Sequence, residues 1–283
     1  MAKIGLLVCG NSGIDYIDHK YDIEVIRSIL FVGEKEYFDY VDITAPEFYK
    51  MLEENPDLTP STAQAATGVI LEQYKEMVEK GYDQLLVVTV SSKLSGTFDG
   101  CMMAAKMMDD VDIRVFDSLS VSYPEARMIL DAAKLVEEGK TLDEIWNHLE
   151  VLRDNNRIYF SVETLRYLVK NGRLSGASGF LGSMLKIKPM LEVTKDGRVE
   201  SIEKIRTTSK ATGRLIEKFI EEVGEKEVEV FLIEANSEAR ADVVRQAVME
   251  KLPRIKEIKS YPLTPVVGAH GGPGLVGIGY VIR

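Results

Sequence analysis

The chain has 283 residues, of which 45% are hydrophobic and 28% charged. This length predicts two domains, because ~100–200 residues per domain is usual. The formal net charge of −10 argues against nonspecific nucleic-acid binding, which depends on neutralising phosphates. No run approaches the ~18 apolar residues that span a bilayer, so we expect a cytoplasmic protein. Two cysteines, Cys9 and Cys101, are too few for a disulfide framework. They are also not spaced like a pair of metal ligands in the sequence.

The first half of the sequence alternates strand patterns with helix patterns. Apolar runs predict strands at 4–8, 23–31, 85–90 and 113–116, and helical spacing predicts helices at 46–53, 68–80, 125–138 and 141–153. The last of these helices starts with a capping box, Thr141 followed by Glu144. Strands that alternate with helices predict a parallel sheet covered on both faces.

The pattern changes after about residue 156. We predict strands at 158–162, 190–194, 198–205, 228–234, 255–261 and 274–282, and helices at 163–171, 209–223 and 238–252, with a further helix after the glycine-rich segment 172–179. Asp196-Gly197 predicts a tight hairpin, because this dipeptide readily adopts positive φ angles. A hairpin within an α/β pattern predicts a mixed sheet. We therefore divide the chain into an N-terminal α/β domain, 1–156, and a C-terminal mixed α/β domain, 157–283.

Segment 91–97, Ser-Ser-Lys-Leu-Ser-Gly-Thr, is the most informative stretch. It follows a buried strand and leads into a helix, so its hydroxyls lie where unpaired N–H groups and the helix dipole favour an anion. The anion could be a phosphate or a carboxylate. An ordinary serine or threonine helix cap explains the same residues equally well.

Two further segments are candidates for ligand contact. The first is the hydroxyl-rich turn at 59–64, which contains Thr62 and precedes a helix. The second is the glycine stretch 268–274, which we expect to be flexible and which presents His270. Glycine clusters allow the backbone to approach a ligand, although a lone histidine is commonly structural.

The sequence gives less support to a serine hydrolase, a nucleotide-binding loop or a metal site. Ser95, His270 and Asp117 supply the three residue types of a serine hydrolase, but the Gly-x-Ser-x-Gly nucleophile elbow is absent around Ser95. Neither a Walker loop nor a Gly-x-Gly-x-x-Gly fingerprint follows the first strand, and no cluster of metal-ligand residues occurs. We therefore expect no metal and no cofactor.

Three motifs together resemble those of the DegV family, whose members bind fatty acids and include the fatty-acid-binding subunit of bacterial fatty acid kinase. The motifs are the Ser-Ser-x-Leu-Ser-Gly-Thr loop at 91–97, the Asn-Gly-Arg-Leu-Ser-Gly run at 171–176 with the Ile-Lys-Pro run that ends at Pro189, and the Ala-His-x-Gly-Pro-Gly run at 269–274. They occur in family order over most of the chain. The family's first-strand aspartate is missing, as is the proline of its Thr-Ser-Gln-Pro turn.

The resemblance implies a two-domain α/β protein with an acyl chain enclosed between the domains. It places the fatty-acid carboxylate at Thr62, Ser95 and His270. Ser92, Arg173 and Arg206 are carried over as further candidates, since Arg173 and Arg206 also fall on family motif positions. Methionines such as Met102, Met103, Met107, Met108, Met184 and Met190 could line the tail tunnel or belong to the ordinary core.

The resemblance thus implies a lipid-binding protein without catalytic residues of its own. It would bind a long-chain fatty acid such as palmitate and present the carboxylate to a separate ATP-binding fatty acid kinase subunit, for acyl-phosphate formation in phospholipid metabolism. It also suggests a monomer. Two alternatives remain at this point: a serine esterase or acyltransferase that uses Ser95 and His270, and a lipid sensor without a kinase partner.

Overall fold

The computed structural model describes residues 3–180 and 187–282. Its strands are β1 (Ile4–Cys9), β2 (Glu24–Ile26), β3 (Ile29–Val32), β4 (Lys35–Phe38), β5 (Ser61–Ala63), β6 (Gln84–Thr89), β7 (Asp112–Asp117), β8 (Asn156–Ser161), β9 (Met190–Val193), β10 (Val199–Glu203), β11 (Val228–Glu234), β12 (Lys259–Pro262) and β13 (Val276–Ile282). Its α-helices are α1 (Ala45–Glu54), α2 (Thr67–Glu79), α3 (Thr97–Ala105), α4 (Tyr123–Glu137), α5 (Leu142–Asp154), α6 (Arg166–Lys170), α7 (Thr208–Val223), α8 (Glu238–Lys251) and α9 (Pro265–Gly271).

Two main sheets confirm the predicted mixed α/β fold class. The first sheet has the order β2-β1-β6-β7, and all its pairs are parallel. The second has the order β10-β9-β8-β13-β11-β12, in which only β11 and β12 are parallel among the described strands. The second sheet begins at Asn156, beside the predicted domain boundary, and the division itself stays a prediction.

A third, antiparallel sheet of order β4-β3-β5 was not predicted. The strand expected at 23–31 is in fact two strands, β2 in the parallel sheet and β3 in this small sheet. Arg27 lies at the break, where its guanidinium donates two hydrogen bonds to the Asp15 carboxylate at 2.8 and 2.9 Å. The small sheet matters because its edge strand β5 carries Thr62.

One hydrophobic cluster joins the two main sheets. It includes Leu6 and Val8 of β1 together with Ile158 of β8 and Phe231 of β11. The apolar faces of the two sheets are therefore buried against common neighbours, and any space left in this cluster lies between the sheets. The helix expected after 172–179 falls largely on 181–186, outside the described residues.

The β9–β10 hairpin reaches the first half of the chain. Gly197, at φ +84°, follows Asp196 as predicted, and its carbonyl accepts a 2.7 Å hydrogen bond from the Ser91 hydroxyl. A Cβ at Gly197 would lie 2.2 Å from Ser91 Oγ, so only glycine permits this approach. Ser91 is fully buried and begins the hydroxyl loop 91–97.

We expect Ser91→Ala to lower the free energy of unfolding by about 1–3 kcal/mol, because it leaves the buried Gly197 carbonyl without its donor. The hydroxyl also accepts from the Lys93 N–H at 3.1 Å, and that bond is lost as well. Urea unfolding measures the change, with Ser209→Ala at an exposed position as the matched control. Equal stability of the two variants would contradict the role of this contact.

Candidate functional site

A cavity lies between the two main sheets. The volume open to the centre of a water-sized sphere is about 120 Å³. The wall is formed by Asn11, Ser28, Thr62, Gln64, Val90, Leu94, Ser95, Gly96, Val121, Ile158, Phe160, Leu168, Arg173, Val193, Val199, Ile233, Leu263, Val267, His270, Gly271 and Leu275.

Polar and apolar wall residues come from different parts of the fold. The six-stranded sheet contributes only apolar side chains, namely Ile158, Phe160, Val193, Val199 and Ile233. Most polar wall residues come from the first half of the chain, and Arg173 and His270 add to them from the second. The cavity therefore has an amphipathic lining, suited to a ligand with a long apolar part and a small polar group.

Thr62 and His270 meet across 208 positions of sequence. β5 pairs with β3, which puts Thr62 opposite Leu30, and α9 carries His270 in its last turn. The Thr62 hydroxyl and His270 Nε2 lie 2.9 Å apart in hydrogen-bonding geometry. The structure thus brings together two of the predicted site residues.

The glycine stretch around His270 is helical at its start, which differs from the expected flexible loop. Thr264 caps α9 by accepting from the Val267 N–H, and Pro265 occupies the first turn. Gly268 packs directly against Tyr49 of α1, where a Cβ would lie 2.3 Å from the phenol oxygen. Tertiary packing at a position that only glycine fits therefore outweighs glycine's poor helix propensity and holds the imidazole in place.

Burial holds His270 in its neutral form. Desolvation, and secondarily the positive charge of Arg173, lowers the pKa of His270 to about 4. Among the described residues, no group hydrogen-bonds Nδ1, which is buried. If Nε2 carries the proton, it donates to Thr62 Oγ1 and leaves the threonine hydroxyl hydrogen for a ligand oxygen.

Ser95 lies at the start of α3, as predicted. Its Oγ is 2.8 Å from Thr97 Oγ1 and accepts from the Thr97 N–H at 3.3 Å. The Gln64 amide packs closely on this loop, since a Cβ at Gly96 would lie 2.2 Å from Gln64 Oε1. Segment 62–64 and the hydroxyl loop thus form adjacent parts of the same wall.

Arg173 also lines the cavity, and backbone carbonyls orient it. Its Nε donates to the Leu94 carbonyl at 3.1 Å, and Nη1 donates to the Asn171 carbonyl at 2.5 Å. The Asn171 amide in turn donates to the carbonyls of Ala269 and Pro60. The motif that starts at Asn171 therefore connects the Thr62, Ser95 and His270 segments and adds a positive charge.

Two predicted residues lie elsewhere. Ser92 does not belong to the cavity wall, and its N–H donates to the Asp117 carboxylate at 3.1 Å. Arg206 is exposed just before α7 and also lies outside the wall. The structure therefore does not bring Ser92 or Arg206 together with Thr62, Ser95 and His270.

The methionines of the hypothetical tunnel do not line the cavity where the structure describes them. Met103 and Met107 are 57% exposed on and after α3. Met102 and Met108 pack against the cluster on the outer side of the parallel sheet, and Met190 belongs to the cluster beneath the second sheet. Met184 falls outside the described residues. The ordinary-core alternative thus holds for the buried ones.

Two polar wall residues, Asn11 and Ser28, lie outside the segments predicted to contact a ligand, whereas Gln64 ends the predicted segment 59–64. Asn11 follows β1, and its Oδ1 is buried without a partner among the described residues. Its position after the first strand was a usable signal, because ligands commonly bind at the carboxyl ends of parallel strands. Ser28, between two short strands, gave no such signal.

The described residues offer no grouping of side chains suited to a metal ion. Within 3–180 and 187–282, no three histidine, cysteine, aspartate or glutamate side chains are grouped so that they could hold an ion. Within the same ranges, no helix has both the length and the apolar character needed to cross a membrane.

We expect the His270 imidazole to titrate near pH 4 in the ligand-free protein, because its charged form is poorly solvated. The unfolded chain binds this proton near pH 6.5, so this group's contribution to stability is lost as the pH falls from about 6.5 towards 4. Proton NMR of the imidazole measures the titration, and His270→Gln assigns the signal. Arg173→Gln should raise the pKa, whereas Arg198→Gln, at an exposed position, should not; a wild-type value near 6.5 would contradict this prediction.

Comparisons with known proteins cover almost the entire chain. The model of the DegV family, described as uncharacterised proteins, matches residues 14–283. A DegV domain-containing protein of Clostridium acetobutylicum is 30% identical over 279 residues, 98% of each chain. Another, from Halalkalibacterium halodurans, is 32% identical over 262 residues, which is 92% of this chain and 91% of the relative.

Solved structures show the same fold. DegV of Bacillus subtilis, described as a fatty acid binding protein, has a TM-score of 0.86 at 29% identity and full coverage of both chains. A DegV family protein of Thermus thermophilus, described for its fatty acid binding, has a TM-score of 0.88 at 27% identity, covering 99% of this chain and 100% of that one. From the three sequence motifs, the matched family model and these relatives, we conclude that the chain belongs to the DegV family.

Proposed function

We propose that this protein binds a long-chain fatty acid such as palmitate in the cavity between its two main sheets. The observation that carries the proposal is the amphipathic lining, with Thr62, Ser95, His270 and Arg173 among its polar members and an apolar sheet face as the rest. The fatty acid binding described for the relatives from Bacillus subtilis and Thermus thermophilus supports the same ligand class.

The energetics assign different tasks to the two parts of the cavity. Burial of a methylene contributes ~0.8 kcal/mol, so ~14 methylenes contribute on the order of 10 kcal/mol before ordering costs. A hydrogen bond to a charged group contributes only ~1.5–3 kcal/mol. The sheet face would therefore supply most of the affinity, and the hydroxyls would fix the orientation of the carboxylate.

At the polar end, each group has a defined role. The Thr62 and Ser95 hydroxyls would donate to the carboxylate, while His270 donates through Nε2 to Thr62 Oγ1. A bound carboxylate would also raise the pKa of His270, because an opposite charge favours the imidazolium. Arg173 would contribute its positive charge from a position already fixed by backbone carbonyls.

We expect the purified protein to carry a fatty acid detectable by native mass spectrometry and to take up palmitate after lipid extraction. Thr62→Ala and Ser95→Ala should each weaken palmitate binding by roughly 10–100-fold, the loss of one charge-assisted hydrogen bond. Ser61→Ala removes an exposed hydroxyl on the same strand as Thr62 and is the matched control. A protein that neither carries an acid nor takes one up would refute the proposal.

A second part of the proposal concerns the fate of the acid. We propose a cytoplasmic, monomeric carrier without catalytic residues of its own, which presents the carboxylate to a separate ATP-binding kinase subunit. That subunit would transfer the γ-phosphoryl group of ATP to a carboxylate oxygen, giving an acyl phosphate and ADP. The resemblance to the binding subunit of fatty acid kinase supports this role in phospholipid metabolism.

We expect a cognate kinase subunit with ATP to convert the bound acid to an acyl phosphate, which hydroxylamine traps as a hydroxamate. Thr62→Ala/Ser95→Ala should reduce the yield, since the carboxylate is no longer held, whereas Ser61→Ala should not. If wild-type protein binds palmitate but gives no hydroxamate with any kinase subunit encoded in the same genome, the protein is instead a lipid sensor.

The geometry gives the hydrolase alternative less support. Ser95 Oγ bonds to Thr97 Oγ1, and His270 bonds to Thr62. The Asp117 carboxylate accepts from the backbone N–H groups of Ser92 and Leu119 rather than orienting an imidazole. The three groups thus do not form a hydrogen-bonded triad of the kind that activates a serine.

A further inference from the structure

The central strand of the cavity floor has glycine at two successive positions of its cavity-side face. In β13, Val276, Ile278 and Tyr280 belong to the cluster beneath the second sheet. Because alternate residues of a strand point to opposite faces, Gly277 and Gly279 fall on the side that faces the cavity. β13 therefore has no side chain on this face at 277 and 279, between β8 and β11. The cavity-side face of these three strands is called the cavity floor.

Gly277 lies between two wall residues. Its register partners are Phe160 on β8 and Ile233 on β11, both of which line the cavity. A Cβ at Gly277 would lie 2.8 Å from Ile233 Cγ1 and 2.9 Å from Phe160 Cβ. The Ile233 side chain thus occupies the place that a side chain at position 277 would take. It lies close to the backbone of the sheet and extends less far into the cavity.

Gly279 faces a different constraint. A Cβ there would lie 2.5 Å from the Arg157 carbonyl oxygen as well as 2.2 Å from the Phe231 ring. A backbone carbonyl within the ladder cannot move aside, so Gly279 is required for folding. At Gly277 rotation of the Ile233 side chain would move Cγ1 away from the added methyl group, whereas Phe160 Cβ is fixed to its backbone and would need a small shift of β8.

We propose that Gly277 is a positioning residue that determines how long an acyl tail the cavity accepts. Without a side chain at 277, Ile233 lies against the sheet and leaves room above it for the tail. An alanine at 277 would push Ile233 towards the cavity and take away part of that room. This inference rests on the proposed function, because it concerns the tail of the same ligand.

The test compares Gly277→Ala, Ile233→Ala and the double variant for binding of myristate, palmitate and stearate. Gly277→Ala should lower the ratio of stearate to myristate affinity by roughly tenfold, the value of one or two methylenes in an apolar pocket. Ile233→Ala should raise this ratio. In the double variant the ratio should return towards the wild-type value, because the methyl group added at 277 takes up part of the space left by the shortened side chain at 233. Gly213→Ala, in α7 with nothing within 4 Å of the added methyl, is the matched control.

The outcomes separate this inference from the proposed function. Wild-type protein that binds none of the three acids contradicts both. Wild-type binding with an unchanged stearate-to-myristate ratio in all variants contradicts the role of Gly277 alone. Should Gly277→Ala fail to fold, Ile233→Ala still tests the same point, because a ratio that does not rise would overturn the inference. A purely structural defect would weaken all three acids equally and leave the ratio unchanged.

Discussion

The polar network and the apolar sheet face are both arranged around the cavity within the hydrophobic cluster that the two main sheets share. Wall atoms that face a cavity lack the dispersion contacts of a packed interior, and this loss costs stability. Here the cost falls on a face built from five strand side chains, and the second sheet has a separate, packed cluster beneath it. A ligand that fills the space would recover those contacts and stabilise the folded state.

The polar end of the cavity shows how distant segments are fixed to each other. Thr62 lies on an edge strand of three residues, His270 on a helix of seven residues and Ser95 in a loop, so contacts between these elements fix their relative positions. Backbone carbonyls join them: Leu94 holds Arg173, and Ala269 and Pro60 hold Asn171. This network places a threonine, a serine, an arginine and a neutral histidine around one opening.

Local patterns in the sequence predicted the parallel sheet, the Asp196-Gly197 hairpin and the cap of α5, because hydrophobic period, turn chemistry and capping act over a few residues. The DegV resemblance, not the periodicity, assigned Thr62 and His270 to the same carboxylate site, and the structure places the two side chains 2.9 Å apart. Local patterns did not reveal α9, whose glycines disfavour a helix until Tyr49 packs on Gly268. The break between β2 and β3 was also hidden, because it depends on a non-local pairing of Arg27 with Asp15.

In the proposed complex, an acyl chain lies along the second sheet with its carboxylate between Thr62 and Ser95. Isotope-filtered NMR of uniformly ¹³C-labelled palmitate in the unlabelled protein measures this arrangement. We expect nuclear Overhauser contacts from tail methylenes to the Phe160 ring and the Ile233 methyl groups, and a carboxyl signal that shifts in Thr62→Ala. Contacts confined to exposed surface residues, or a carboxyl signal that is identical to that of free palmitate, would contradict it.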